Sequence, residues 1–123
     1  MQSGAAVFAA PSSMSAILAN LLKLVGSTRD GALLRYSIGN EYLKSQDYDN
    51  ATLHLREAVR LDPNHSASWK LLGKSLVQAG RNEEALAAYQ EGMAVAQSRG
   101  DQQALKEMRV FARRLEKAAG EKP

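Results

Sequence analysis

Six polar side chains at regular spacing are the residues of this chain that could bind a ligand. They form two groups of three, four residues apart within a group and offset by 34 residues between groups: Tyr36, Asn40 and Lys44, then Lys70, Lys74 and Gln78. Ammonium groups beside an amide and a phenol suit an acidic or carboxylate-bearing peptide, because the amide can also pair with peptide backbone groups. The alternative is that the lysines only solvate an exposed face, the usual role of a surface lysine.

The rest of the chain lacks the residue patterns of an enzyme or a metal site. It contains no cysteine, which excludes disulfides, thiolate metal ligands and cysteine nucleophiles. Neither His54 nor His65 has a second histidine or a suitably spaced carboxylate to complete a metal site. Glu83 and Glu84 open a predicted helix, where negative charge favours the helix dipole. We therefore expect no enzymatic activity, no metal and no cofactor.

The charge balance is mildly basic. Among 123 residues there are 16 Lys and Arg against 13 Asp and Glu, a formal net charge of +3. This balance permits attraction to anionic partners but lacks the dense basic clusters of a nucleic-acid-binding protein. Arg113 and Arg114 could add only salt-sensitive, sequence-independent attraction. We expect no nucleic-acid partner.

Both ends of the chain are predicted to be flexible tails, over residues 1–11 and 119–123. The apolar stretch from Gly4 to Ala10 is short and no Lys or Arg precedes it, whereas a secretory signal has a basic start and a longer apolar core. Pro11 then interrupts it, so no run approaches the length of a membrane-spanning helix. We expect no membrane insertion, and the cytoplasm is the default location.

A repeat of 34 residues positions the six polar side chains. This period is typical of helix-turn-helix repeats and places one copy at about residues 32–63 and a second at about 66–97. Apolar residues recur in each copy at helical spacing, so helices are predicted rather than strands. Three pairs of residues share the separation: Gly39 and Gly73, Ala51 and Ala85, and Leu55 and Tyr89.

The two glycines at equivalent positions indicate close helix packing. A glycine inside a helix costs about 1 kcal/mol relative to alanine, so its occurrence twice at one phase suggests a packing need. We expect the helix backbones to cross closely at Gly39 and Ala51, and again at Gly73 and Ala85.

Two further helices are predicted to flank the repeats. Asp101 is the predicted N-cap of a helix over about residues 101–118, which has one apolar and one basic side and resembles a solenoid cap. An amphipathic helix is predicted over residues 12–26. It could cover the edge of the first repeat or pair with a second chain, because repeat arrays need their terminal apolar faces covered.

The chain resembles the tetratricopeptide-repeat (TPR) family, whose repeats carry a pattern of aromatic, Leu-Gly, Tyr, Ala, aromatic, Ala and Pro. Two sets of residues carry the resemblance: Gly39, Tyr42, Ala51, Ala58 and Pro63 in the first repeat, and Trp69, Leu72, Gly73, Ala85 and Tyr89 in the second. Arg35 stands where the family favours Trp. The chain is similar to a small bacterial-type TPR protein with two full repeats and a C-terminal capping helix.

The resemblance implies an all-α superhelix, a TPR solenoid over about residues 30–118, in which the first helix of each repeat lines a concave groove. The six polar side chains would lie in that groove. The implied function is a non-enzymatic adaptor or assembly scaffold that binds another protein or peptide, with a preference for acidic segments. The alternative is a homo-oligomeric structural module assembled through the N-terminal or cap helix.

Overall fold

The computed structural model describes residues 15–121, which form α-helices and no strand. The helices are α1 (Ala16–Leu22), α2 (Ala32–Lys44), α3 (Tyr48–Leu61), α4 (Ser66–Gln78), α5 (Asn82–Arg99) and α6 (Gln102–Gly120). Each helix packs against the next, and α4 also touches α2 and α6. These three helices therefore lie side by side and form one surface of the stack, which we call the α2–α4–α6 face.

The same turn joins α2 to α3, α4 to α5, and α5 to α6. Gln46, Gly80 and Gly100 lie in these turns with positive φ angles of 63°, 80° and 73°. In each turn, the amide of the next residue donates to a carbonyl five residues before it, at 2.8–3.0 Å. A residue in the left-handed conformation followed by this hydrogen bond is a common way to terminate a helix. The α5–α6 pair is therefore connected like the two helices of a repeat.

Glycines allow the two helices of each repeat to approach closely. A Cβ added at Gly39 would lie 2.5 Å from Cγ of Leu55, and one added at Gly73 would lie 2.6 Å from Cζ of Tyr89. Leu55 and Tyr89, one helical turn after Ala51 and Ala85, supply the atoms nearest to these positions. The glycines therefore leave room for large side chains of the facing helix, and the close crossing at Ala51 and Ala85 stays a prediction.

The N-terminal helix is shorter than predicted. The helix expected over residues 12–26 is α1, which begins after the N-cap Ser15 and ends at Leu22, where turns replace it. Leu18 of α1 is 1% exposed and packs against Leu34 and Ile38 of α2. The helix thus covers the apolar edge of the first repeat. Residues 12–14 and the predicted tail over residues 1–11 lie outside the described residues.

The last helix packs its apolar side on α5. Met108 is fully buried, and Leu105 and Ala112 are nearly so, in one cluster with Tyr89. Asp101 caps the helix, since its side chain accepts the Ala104 amide at 3.1 Å. The helix reaches Gly120 and so includes the first two residues of the predicted C-terminal tail, while residues 122–123 lie outside the described residues.

Candidate functional site

Four of the six predicted site residues line a single pocket. Asn40 and Lys44 of α2 face Lys74 and Gln78 of α4 across a cavity of about 210 Å³. Residues four apart lie on one face of a helix, and α2 lies beside α4. The 34-residue offset in the sequence therefore becomes adjacency in space. The pocket is completed by residues that the sequence analysis did not single out: Leu43, Gln46, Tyr48 and Leu71.

Tyr36 does not belong to this pocket. Its ring meets the His65 ring edge to face, with 5.0 Å between centroids and an interplanar angle of 85°. The Nδ1 atom of His65 is in turn 2.6 Å from Oγ of Ser68, within the first turn of α4. The structure therefore places Tyr36 in the contact between α2 and the start of α4.

Lys70 forms an ion pair with a residue of α6. Its Nζ donates to Oε1 of Glu107 at 2.5 Å, and Gln103 donates to the other carboxylate oxygen at 3.1 Å. These hydrogen bonds, that of Lys70 first, hold the pKa of the Glu107 carboxyl below its usual range. The Lys70 ammonium therefore links α4 to α6 in this structure.

The two lysines of the pocket differ in their charge partners. Lys44 lies 3.0 Å from Glu41 on its own helix, although its side chain is 64% exposed. Lys74 is exposed and makes no ion pair with any residue between 15 and 121. The positive charge that an incoming carboxylate would meet is therefore concentrated at Lys74.

A second pocket continues the α2–α4–α6 face beyond the predicted site. It lies between α4 and α6 and shares Lys74 and Gln78 with the first pocket. The residues of this pocket that the sequence analysis missed are Val77, Tyr89, Phe111, Arg114 and Leu115. No period in the sequence links α6 to α4, so packing alone brings these residues together. Because α6 lies beside α4 as α4 lies beside α2, it takes the place of the first helix of a third repeat.

Neither a metal cluster nor a membrane helix occurs in the part of the chain that the structure describes. Residues 15–121 hold no group of three or more His, Cys, Asp or Glu side chains that could hold a metal ion. None of the helices formed by these residues is both long enough and apolar enough to cross a bilayer.

Comparison with known proteins gives concordant similarities over most of the chain. A family model described as tetratricopeptide repeat matches residues 36–100. The chain is also similar to a curated TPR repeat-containing protein of Pseudomonas aeruginosa. The two are 43% identical over 102 residues, which are 83% of this chain and 97% of the relative.

Solved structures from two bacteria are similar as well. The solution structure of a Bordetella parapertussis protein is 43% identical with a TM-score of 0.73, covering 85% of this chain and 91% of that one. A tetratricopeptide repeat domain protein of Salinibacter ruber is 28% identical, and its solution and crystal structures give TM-scores of 0.65 and 0.66. Each of these two matches covers 71% of this chain, with 88% and 97% of the respective relative.

Proposed function

Because the chain belongs to the tetratricopeptide-repeat family, we propose that it is a non-enzymatic adaptor or assembly scaffold that binds an acidic segment of another protein between α2 and α4. The fold is an α–α superhelix, and proteins with this fold are in general interaction modules rather than catalysts.

The observation that carries the proposal is the convergence of Asn40, Lys44, Lys74 and Gln78 on one pocket. Lys74 supplies a cation with no ion-pair partner in residues 15–121, and the two amides can donate to and accept from a peptide backbone. An acidic segment would gain both interactions at once. In this arrangement Lys70 and Tyr36 contribute by holding α4 against its neighbours.

The proposal is tested with a short acidic peptide and the same peptide carrying amides in place of its acids. We expect Lys44→Glu with Lys74→Glu to weaken binding of the acidic peptide by about tenfold or more, because carboxylates that repel the peptide replace both ammonium groups. The matched control, Lys106→Glu with Lys117→Glu, makes the same charge change at exposed positions of α6 outside both pockets.

Fluorescence anisotropy measures the affinities, and circular dichroism confirms that each variant is folded. Equal weakening by both double variants would mean that net charge alone attracts the peptide. If neither peptide binds the unmodified chain, the acidic preference is wrong.

Exposed apolar side chains favour a second candidate, a homo-oligomeric structural module. Ile17 of α1 is 59% exposed, Leu33 at the start of α2 is 72% exposed, and Val110 of α6 is 47% exposed. Such residues are often covered in an assembly when they form a patch. Light scattering of the full chain tests this candidate: a monomer at high concentration would exclude it, whereas a dimer lost on Ile17→Ser with Leu33→Ser would support the N-terminal contact.

We also propose a cytoplasmic location. The support is the absence of cysteine from the sequence, which leaves no disulfide that would require an oxidising compartment. Cell fractionation that recovers the protein outside the cytoplasm would exclude this location.

A further inference from the structure

We propose that the pocket between α4 and α6 is a subsite for one apolar side chain, of leucine or phenylalanine size, whose neighbour in the partner segment is acidic. The proposal rests on the proposed function and deepens it, because this pocket and the α2–α4 pocket share Lys74 and Gln78. One segment could therefore run across both.

The lining of the subsite is largely hydrocarbon and aromatic. Val77 of α4, Tyr89 of α5, and Phe111 and Leu115 of α6 surround a cavity of about 280 Å³. The Tyr89 and Phe111 rings pack together with 5.6 Å between centroids. An apolar side chain placed here would remove this surface and its own surface from water, which favours binding.

Two cations border the same pocket. Lys74 belongs to its lining on the α4 side and Arg114 on the α6 side. The Arg114 guanidinium lies 5.9 Å from the centre of the Phe111 ring, so its charge is next to the apolar surface. Neither cation forms an ion pair within residues 15–121. A side chain that covers Phe111 would thus bring an adjacent acidic side chain to an uncompensated positive charge.

Tyr89 lines the subsite with a side chain that is almost completely buried. Tyr89 is 2% exposed, and its hydroxyl makes no hydrogen bond to another residue in 15–121. Every fully enclosed side-chain polar atom in that part of the chain has a partner, so this hydroxyl reaches solvent, and Tyr89 borders the pocket. Burial raises the pKa of Tyr89 to about 12. The Tyr89 side chain therefore stays neutral near pH 7.

The charge pattern decides between occupants of this pocket. A purely apolar segment would leave Lys74 and Arg114 without a partner, and a purely acidic segment would leave Phe111 and Leu115 uncovered. A segment with an apolar side chain beside an acidic one matches both features. We therefore assign the subsite to such a segment within a partner chain.

The test uses the full chain and three short peptides with acetylated and amidated ends. The first has a central phenylalanine between acidic residues, the second has alanine in place of the phenylalanine, and the third keeps the phenylalanine but has amides in place of the acids. We expect the first to bind about tenfold more tightly than either of the others, because only it fills the pocket and meets the cations. Isothermal titration calorimetry gives the affinities.

Variants locate the binding on the chain. Arg114→Glu should weaken the first peptide by about fivefold or more, whereas the control Arg113→Glu should not, since Arg113 is also exposed on α6 but lies outside the pocket. Phe111→Ala should reduce the preference for phenylalanine over alanine to about twofold or less. Thermal melts check that each variant folds. If Phe111→Ala does not fold, the comparison of Arg114→Glu with Arg113→Glu decides whether the peptide binds at the subsite.

Three results would overturn the subsite. Equal binding of the first two peptides, both tighter than the third, would support binding of acidic segments but exclude an apolar subsite. Equal effects of Arg114→Glu and Arg113→Glu would place the peptide elsewhere. If no peptide binds at all, the proposed function fails together with the subsite.

Discussion

Asp30, Arg35 and His54 form a polar cluster where α2 packs on α3. Two Arg35 nitrogens donate to the two Asp30 carboxylate oxygens at 2.9 and 3.0 Å, and a third lies 3.4 Å from Nδ1 of His54. The hydrogen bonds from Arg35 are the main reason that the pKa of Asp30 is far below its usual range. Arg35 occupies the position at which the family favours Trp, so in this chain an ion pair with Asp30 replaces the Trp side chain.

His54 makes the stability of the fold depend on pH. Burial first, and then the charge of Arg35, hold its pKa below the ordinary value of 6.5. The unfolded chain therefore takes up a proton on His54 at a higher pH than the folded chain does. The contribution of neutral His54 to stability is complete above about pH 6.5, and it is lost as pH falls through 6.5 toward the lowered pKa of the folded state.

We predict that His54→Gln flattens the decline of unfolding free energy between about pH 7 and pH 5, because glutamine does not titrate. Urea unfolding at several pH values measures this slope. The pKa values of Asp30 and Glu107 are lowered, so the stability they contribute is lost only below about pH 4. An unchanged slope in His54→Gln would show that another group causes the decline.

At the scale of helix pairs, the approach of α4 to α5 depends on Gly73. The Tyr89 ring lies over this glycine and leaves no room for a Cβ. The first repeat uses the same device with Gly39 and Leu55, so the feature belongs to the repeat rather than to one residue type.

We predict that Gly73→Ala lowers the free energy of unfolding by about 1–3 kcal/mol, because the new methyl group displaces the ring and this outweighs the better helix propensity of alanine. Gly120→Ala is the control, since a Cβ at Gly120 meets no atom within 4 Å, and it should be neutral or slightly stabilising. Urea denaturation measures both. A gain in stability from Gly73→Ala would contradict the close packing of α4 on α5.

The helix boundaries show which local features of the sequence are sufficient to predict a helix and its end. The helices of both repeats were predictable, because apolar residues recur in them at helical spacing, which is a local feature of the sequence. The end of α1 was not, since the apolar pattern continues through Leu24 and Val25, yet these residues lie in turns after the helix. Their amides donate to carbonyls three residues back, which is the tighter hydrogen bonding of a helix end.

At the scale of the whole molecule, several contacts attach α6 to the second repeat. Met108 fills the space beside Gly92 of α5. Ser66 at the start of α4 donates to the N-cap Asp101 at 2.9 Å, and Lys70 pairs with Glu107. Because these contacts reach two helices of the second repeat, we expect α6 to unfold together with it.

We predict that Met108→Ala lowers the free energy of unfolding by about 2–4 kcal/mol and leaves a single transition, since it opens a cavity in a fully buried site. Val110→Ala, at a residue that is 47% exposed, should change stability by no more than about 0.5 kcal/mol. Denaturation followed by circular dichroism and by Trp69 fluorescence tests both statements. Two separate transitions would mean that α6 melts independently of the repeats.

The sequence alone determined the repeat, the helix pairs and the family, because a 34-residue period and helical spacing are properties of the chain read in order. The same period predicted that residues of α2 and α4 would lie side by side, and Asn40, Lys44, Lys74 and Gln78 do line one pocket. Their role in binding stays a prediction.

Only the tertiary structure decided which charges of the α2–α4–α6 face are paired and how far the face extends. Lys70 and Glu107 are 37 residues apart, and no periodicity links them, so their ion pair depends on how α6 docks against α4. The same docking brings Phe111 and Arg114 of α6 beside Val77 of α4. Since α6 lies outside the 34-residue repeat pattern, its residues could be identified as part of the site only from packing.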